Sequence, residues 1–119
     1  MQPRLVSRVT AEHYTWGDQC DGWHLVKDEN LSVIEEQMPA GASEVLHYHE
    51  RAQQFFLVLA GEATMDVDGC EMRLVAREGL RILPGVPHRI RNESMEPVQF
   101  LVVSRPPSHG DRVTVEKDV

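Results

Sequence analysis

Short apolar runs alternate with turn-forming residues along the chain, and this pattern predicts strands rather than helices. No stretch of three turns carries apolar residues at positions i, i+3, i+4 and i+7, the spacing of an amphipathic helix. Runs rich in Val, Ile, Leu, Phe and Thr recur between Gly, Pro, Asp and Asn instead. They predict strands at residues 5–9, 23–26, 31–38, 45–49, 54–60, 62–67, 70–75, 80–83, 88–91 and 98–104.

The clearest turn is Asp68-Gly69, which lies between two predicted strands. These residue types tolerate the positive φ angles of a tight two-residue hairpin turn. Many short strands separated by such turns are typical of an antiparallel sandwich or barrel. We therefore predict an all-β fold, an antiparallel double-sheet jelly roll with at most short helical turns.

Length and charge exclude several classes of function. A chain of 119 residues corresponds to one domain. It carries 12 Lys and Arg against 19 Asp and Glu, a net charge of −7. Proteins that bind nucleic acid or anionic membranes need a basic patch, so we expect neither partner. The longest apolar run, residues 55–60, is far shorter than the roughly 20 residues of a membrane helix.

The two cysteines, Cys20 and Cys70, indicate the compartment. They form no CxxC motif, and two cysteines do not make a disulfide framework. The first residues contain no apolar stretch of signal-peptide length. We therefore expect a reduced, cytoplasmic location.

Three of the six histidines carry the candidate chemistry. His47 and His49 are two residues apart on a predicted strand, so both imidazoles project from the same face. Gln54 opens the next strand, and His88 follows the Pro-Gly-Val-Pro turn at 84–87. Three imidazoles that converge inside a small barrel would bind a divalent transition metal.

Two segments carry a family resemblance. Residues 41–61, GASEVLHYHERAQQFFLVLAG, resemble the first cupin motif: Gly, five residues, His-x-His, three or four residues, Glu, six residues, Gly. Residues 83–92, LPGVPHRIRN, resemble the second motif, Pro-x-Gly-x-x-His-x-x-x-Asn, with Pro84 one place later than usual. The chain thus resembles a small single-domain cupin of the cupin 2 conserved-barrel type.

The resemblance implies a domain organisation as well as a fold. One jelly-roll barrel would span residues 1–119, with its core motifs at 41–92. The N-terminal segment, 1–30, and the C-terminal tail, 105–119, would pack on that barrel.

The resemblance also implies a ligand set of His47, His49, position 54 and His88 around one divalent ion: Zn, Fe, Ni or Mn. Gln54 stands where the family usually has Glu. Its amide oxygen can coordinate but is neutral, so affinity should fall, most of all for Mn. The bound ion would also be a stronger Lewis acid. The alternative is a polar histidine cluster that holds no metal.

Strand alternation predicts the surroundings of the ligands. It turns Arg89 and Arg91 away from the site, toward solvent or a subunit interface. No Asp or Glu is expected inward near the ligands, so no general base is predicted. Five residues are expected to line the pocket: Met38, Phe56, Val58, Ile90 and Asn92.

The N-terminal aromatic cluster has two interpretations. It could cover the barrel mouth as pocket lining, or pack on the outer sheet, and packing is favoured. His109 lies in an irregular tail and is interpreted as a surface residue. The cluster comprises Tyr14, Trp16, Trp23 and His24.

Two function classes remain. The first is a metal-dependent enzyme acting on a small molecule, as an oxygenase, cyclase or isomerase. The second is a non-catalytic module that binds or senses a sugar-like or polar metabolite, which the absent base and the neutral fourth ligand would suit. We also expect a homodimer, because residues 54–60 are apolar on both faces and residues 5–9 lack a hairpin partner.

Overall fold

The apolar runs form eleven β-strands in the computed structural model, which describes residues 2–108 and 110–115. Within that part of the chain there is no helix. In chain order the strands are β1 Glu12–Trp16, β2 Cys20–Lys27, β3 Ser32–Met38, β4 His47–His49, β5 Gln53–Ala60, β6 Glu62–Val67, β7 Cys70–Val75, β8 Gly79–Ile82, β9 His88–Arg91, β10 Val98–Arg105 and β11 Arg112–Thr114.

The strands build two antiparallel sheets. One has six strands in the order β1-β2-β3-β10-β5-β8, and the other has five in the order β11-β4-β9-β6-β7. Their inner faces bury a common core whose largest side chains include Phe100, Met38 and Met65. The predicted all-β, double-sheet fold is confirmed.

The hairpin prediction is also confirmed. Asp68 and Gly69 have φ angles of 49° and 84°, the positive values that a type I′ turn requires. Val67 pairs with Cys70 directly across the turn, which fixes the register of β6 against β7.

Alternation along β5 and β9 follows the prediction. Gln54, Phe56 and Val58 are buried, whereas Phe55 and Leu59 are about 40% exposed. On β9, His88 and Ile90 point inward, and Arg89 and Arg91 point outward. Both of these arginines bind the Asp66 carboxylate, each through Nε at 2.7 Å.

The predicted strand at 5–9 is wrong. Residues 5–7 have no regular structure and residues 8–10 form a turn. Leu5 and Val9 are more than 90% exposed, so their apolar side chains find no sheet to pack against. Strands β1 and β11 were not predicted, since neither shows a clean alternation of apolar and polar residues; pairing with β2 and β4 holds them.

Parts of the N-terminal segment and of the C-terminal tail therefore belong to the sheets. The N-terminal segment supplies β1 and β2 to the six-stranded sheet, and the tail supplies β11 to the five-stranded sheet. Cys20 is buried, Cys70 is exposed, and both are free thiols. In the part of the chain described above, no helix is long and apolar enough to cross a membrane.

Candidate metal centre and its cavity

A cavity of about 300 Å³ opens between the two sheets. It is lined by His47, His49, Gln54 and Phe56 together with residues from both ends of the chain. The structure therefore brings three of the four predicted metal ligands to the cavity wall. The fourth, His88, is fully buried and does not line the cavity.

The three histidines form one cluster. His47 on β4 pairs directly with His88 on β9, and His49 lies two residues further along β4. One ring nitrogen from each of the three lies within 4.8 Å of the others, and all three side chains are buried. This cluster is tight enough for the three nitrogens to share one ion.

Backbone carbonyls fix two of the rings. Nδ1 of His47 donates to the carbonyl of Val45 at 2.7 Å, and Nδ1 of His88 donates to that of Val86 at 2.9 Å. In a neutral ring with its proton on Nδ1, the Nε2 atom carries the lone pair. Such outer hydrogen bonds are the usual way in which metal-binding histidines are oriented.

The histidines are held in the neutral form. Burial, together with the proximity of the other imidazoles, lowers the pKa of His47 to about 3 and that of His49 to about 4. Burial likewise lowers the pKa of His88. At neutral pH all three rings therefore offer lone pairs, which is the form that coordinates a metal.

Gln54 completes the donor set. Its Oε1 lies 3.1 Å from Nε2 of His88, while its Nε2 donates to Oγ of Ser104 at 3.0 Å. The amide oxygen therefore faces the imidazole cluster. Three neutral imidazoles and one amide oxygen are a donor set that fits a divalent transition ion.

Four of the five predicted lining residues lie elsewhere. Phe56 lines the cavity, but the other four are buried in the core between the sheets. Asn92 instead donates from Nδ2 to the carbonyls of Met38 and Glu96. Alternation identifies the inward face of a strand but not the depth of a residue along it. The residues placed in the core are Met38, Val58, Ile90 and Asn92.

Two carboxylates line the cavity, contrary to the expectation that none would face inward. Burial raises the pKa of Glu36 to about 8 and that of Glu44 to about 7. Glu44 accepts a hydrogen bond from the backbone N–H of Ile90 at 3.3 Å. The signal for Glu36 was present in the sequence, because it lies two residues from both Ile34 and Met38 on one strand face.

Tyr14 reaches Glu36 by crossing a glycine. Tyr14 pairs with Gly22, which in turn pairs with Glu36 on β3. A Cβ on Gly22 would lie 2.2 Å from Cζ of the tyrosine, so only glycine lets the ring lie across β2. The phenol then donates to Oε2 of Glu36 at 2.8 Å.

The aromatic cluster is divided between two faces. Tyr14 and Trp16 line the cavity, so the preference for packing is wrong for these two. Trp23 packs instead beneath the guanidinium of Arg8, 4.0 Å from the ring centroid. His24 stacks on Tyr14 at 4.8 Å, and neither it nor Trp23 lines the cavity. The interpretation of His109 falls outside the described residues.

A buried aspartate in the tail binds the loop between β4 and β5. The carboxylate of Asp111 accepts hydrogen bonds from the backbone N–H groups of Glu50, Arg51 and Ala52 at 2.8–3.2 Å. Burial opposes its ionisation, but these N–H donors hold its pKa below the ordinary value. The next residue, Arg112, lines the cavity mouth.

Comparisons with known proteins agree with this geometry. A family model of the cupin domain matches residues 34–104, more than half of the chain, so the protein belongs to the cupin domain family. An uncharacterised protein of Methanocaldococcus jannaschii is 29% identical over 94 residues, covering 78% of this chain and 75% of its own.

Solved structures give the same fold. An RmlC-like cupin from Shewanella frigidimarina superposes with a TM-score of 0.81 at 20% identity, covering 91% of this chain and 95% of that one. The polyketide cyclase RemF from Streptomyces resistomycificus superposes with a TM-score of 0.80 at 19% identity, covering 98% and 88%. At these identities the likeness establishes the jelly-roll fold alone.

Proposed function

We propose that this cupin holds one divalent transition metal on His47, His49 and His88, with Gln54 as a weaker fourth ligand, and acts on a small oxygen-bearing molecule. The observation that carries the proposal is the cluster of three neutral imidazoles whose nitrogens lie within 4.8 Å of one another, two of them at the cavity wall. When bound, the ion supplies Lewis acidity to an oxygen of the ligand. The neutral donor set favours Zn, Fe or Ni over Mn.

Glu36 is the acid–base group of the proposed enzyme. With its pKa near 8, the carboxyl group takes and gives a proton close to neutral pH. Tyr14 holds Oε2 through its hydroxyl hydrogen bond, which leaves Oε1 to exchange a proton with the ligand. A base that lines the same cavity as the proposed metal ligands favours proton-transfer chemistry, as in an isomerase or a cyclase, over reactions that need no base.

The alternative is a module that binds a small metabolite without turning it over. It is favoured by the amide of Gln54, which adds no charge where the family motif usually has a carboxylate. Glu36 and Tyr14 would then serve as hydrogen-bonding groups for the ligand.

Elemental analysis of protein purified without added metal tests the metal site. We expect about one ion per chain, and its loss in His49→Ala and His88→Ala. His13→Ala is the control, because that ring lies outside the cavity and pairs with Asp21. An unchanged metal content in both ligand variants would refute the assignment.

Ligand screens then separate the two functions. Metal-loaded wild type and Glu36→Gln are incubated with candidate small molecules, and binding and product formation are followed by NMR. Turnover that disappears in Glu36→Gln while binding persists supports the enzyme. Binding without turnover in either protein supports the metabolite-binding module.

We further propose a cytoplasmic location, which two free thiols suit.

We also propose a homodimer that forms through the outer face of the six-stranded sheet. Leu57 pairs with Leu101 and Phe55 with Val103 on that face, so the apolar side chains are contiguous. Light scattering should give twice 13.5 kDa, and Phe55→Glu should give 13.5 kDa. The control is Met95→Glu, in an exposed turn. A wild-type mass near 13.5 kDa would refute the dimer.

A further inference from the structure

The tail strand places a guanidinium beside the imidazole cluster. Arg112 on β11 lies directly opposite His49 on β4. Residues opposite each other in an antiparallel pair project from the same face, with their Cβ atoms roughly 5 Å apart. Arg112 accordingly lines the same cavity as His49.

Arg112 forms no ion pair within the described residues, although its charge acts through space on Glu44, whose pKa it lowers. No carboxylate oxygen there lies within 4.0 Å of its guanidinium, whereas Arg89 and Arg91 both bind Asp66 at 2.7 Å. The Glu44 carboxylate accepts its hydrogen bond from the backbone N–H of Ile90 and not from Arg112, so the guanidinium donors stay available to a ligand.

The backbone of Arg112 is also held in place. Its neighbour Asp111 is fixed by three backbone N–H groups of residues 50–52, and β11 pairs with β4. A side chain that starts from a fixed backbone loses less entropy when it binds a ligand. Arg112 is exposed, but it lines the cavity from a backbone that is fixed on both sides, as a ligand-binding group would.

We propose that the cavity binds a small oxyanion, a carboxylate- or phosphate-bearing molecule, whose charged group is bound by Arg112 while its remaining oxygens face the histidine cluster. The part played by the cluster rests on the proposed metal-dependent function. A guanidinium and a divalent ion on one cavity wall repel each other, and water at the exposed position of Arg112 screens part of that repulsion. An anion between them offsets that repulsion, and the planar guanidinium matches the geometry of carboxylate and phosphate oxygens. A neutral ligand would do neither.

The test compares probes that differ in charge but not in shape. Lactate and lactamide present the same hydroxyl and carbonyl oxygens, and inorganic phosphate separates carboxylate from phosphate chemistry. Binding of each is measured by calorimetry to metal-loaded and to chelator-treated protein. The variants are Arg112→Gln, Arg112→Lys and, as a matched control outside the cavity, Arg105→Gln.

We expect an anion, lactate or phosphate, to bind metal-loaded wild type, with lactate at least about tenfold tighter than lactamide if carboxylate is the preferred group. Arg112→Gln should abolish the preference for the anion, Arg112→Lys should retain part of it, and Arg105→Gln should leave it unchanged. In anion-free buffer, Arg112→Gln should bind the metal more tightly than wild type, since a repelling charge is removed.

Distinct results overturn distinct proposals. No anion binding at millimolar concentration, or anion binding that Arg112→Gln leaves unchanged, overturns the role of Arg112. A wild-type protein that takes up no metal overturns the metal-dependent function instead. In that case the chelator-treated protein still decides whether Arg112 binds an anion.

Discussion

Oε1 of Gln54 lies 3.1 Å from Nε2 of His88, inside a buried cluster. Because Nδ1 of His88 donates to a backbone carbonyl, Nε2 carries a lone pair in the neutral ring. Two lone pairs that face each other repel unless a cation lies between them or the amide turns over to donate its N–H. The amide oxygen of Gln54 therefore faces the lone pair of His88, an arrangement that a cation bound to both atoms would stabilise.

Replacing Gln54 with Glu should tighten metal binding. The carboxylate adds a negative charge at the same position, and the Ser104 hydroxyl, which now accepts from the amide, can donate to it. We expect the metal dissociation constant to fall at least about tenfold, measured by competition with a chromophoric chelator. Gln53→Glu is the control, since its side chain points away from the cavity and binds Arg81. An equal effect of both variants would indicate general electrostatics rather than coordination.

The fold could be predicted from the sequence more completely than the site. Alternation and turn residues define nine of the ten predicted strands, because side-chain burial in a two-sheet fold follows a period of two. The failed strand at 5–9 has the right residue types but no sheet beside it. Strand β11 forms because it pairs with β4, which is distant in the sequence, and such long-range pairing leaves little trace in the local pattern of apolar and polar residues.

The site was predictable as far as residue type and strand face specify it. The cupin motifs and the His-x-His spacing indicated which side chains could come together. Depth along a strand was not predictable, so Ile90 and Asn92 were assigned to the pocket although both lie in the core. The contact from Tyr14 to Glu36 depends on two strand registers and on a missing Cβ at Gly22, none of which a single-sequence pattern specifies.

Glu36 should make the folded protein less stable as the pH rises. Its pKa is about 8 in the folded state against an ordinary value of 4.5, so the folded state binds the additional proton between these values. The stabilisation from this proton is fully present below pH 4.5 and is lost as the pH rises through about 8. The slope from this one group approaches about 1.4 kcal/mol per pH unit.

Urea unfolding of Glu36→Gln and wild type from pH 5 to pH 8 measures this contribution. The variant should gain stability relative to wild type as the pH rises, because Gln does not ionise and still accepts the Tyr14 hydrogen bond. The buried histidines contribute equally to both proteins, so their effect cancels in the difference. Glu29→Gln, in an exposed turn, is the control. Parallel curves for Glu36→Gln and wild type would mean that Glu36 is ionised in the folded protein.

Gly22→Ala should destabilise the protein through Tyr14. The new Cβ would lie 2.2 Å from Cζ of the ring, so the ring must move and its hydrogen bond to Glu36 is lost. We expect a cost of about 2 kcal/mol or more. In a Tyr14→Ala background the clash disappears, and the same substitution should cost little. A double-mutant cycle in chemical unfolding measures this coupling, and additive effects of the two substitutions would contradict it.

Asp111→Asn should loosen the tail and lower the thermal stability. Among the described residues, the buried carboxylate accepts hydrogen bonds from the backbone N–H groups of residues 50–52 alone, and it forms one long ion pair with Arg51. An amide would direct N–H donors against those N–H groups, leaving buried donors without acceptors. We expect the melting temperature to fall by at least about 5 °C.

Arg51→Gln is the matched control, because this side chain is 78% exposed and its 3.9 Å ion pair contributes little. If Arg51→Gln lowered the melting temperature as much as Asp111→Asn, the surface ion pair, and not the backbone N–H groups, would hold the tail beside the histidine cluster.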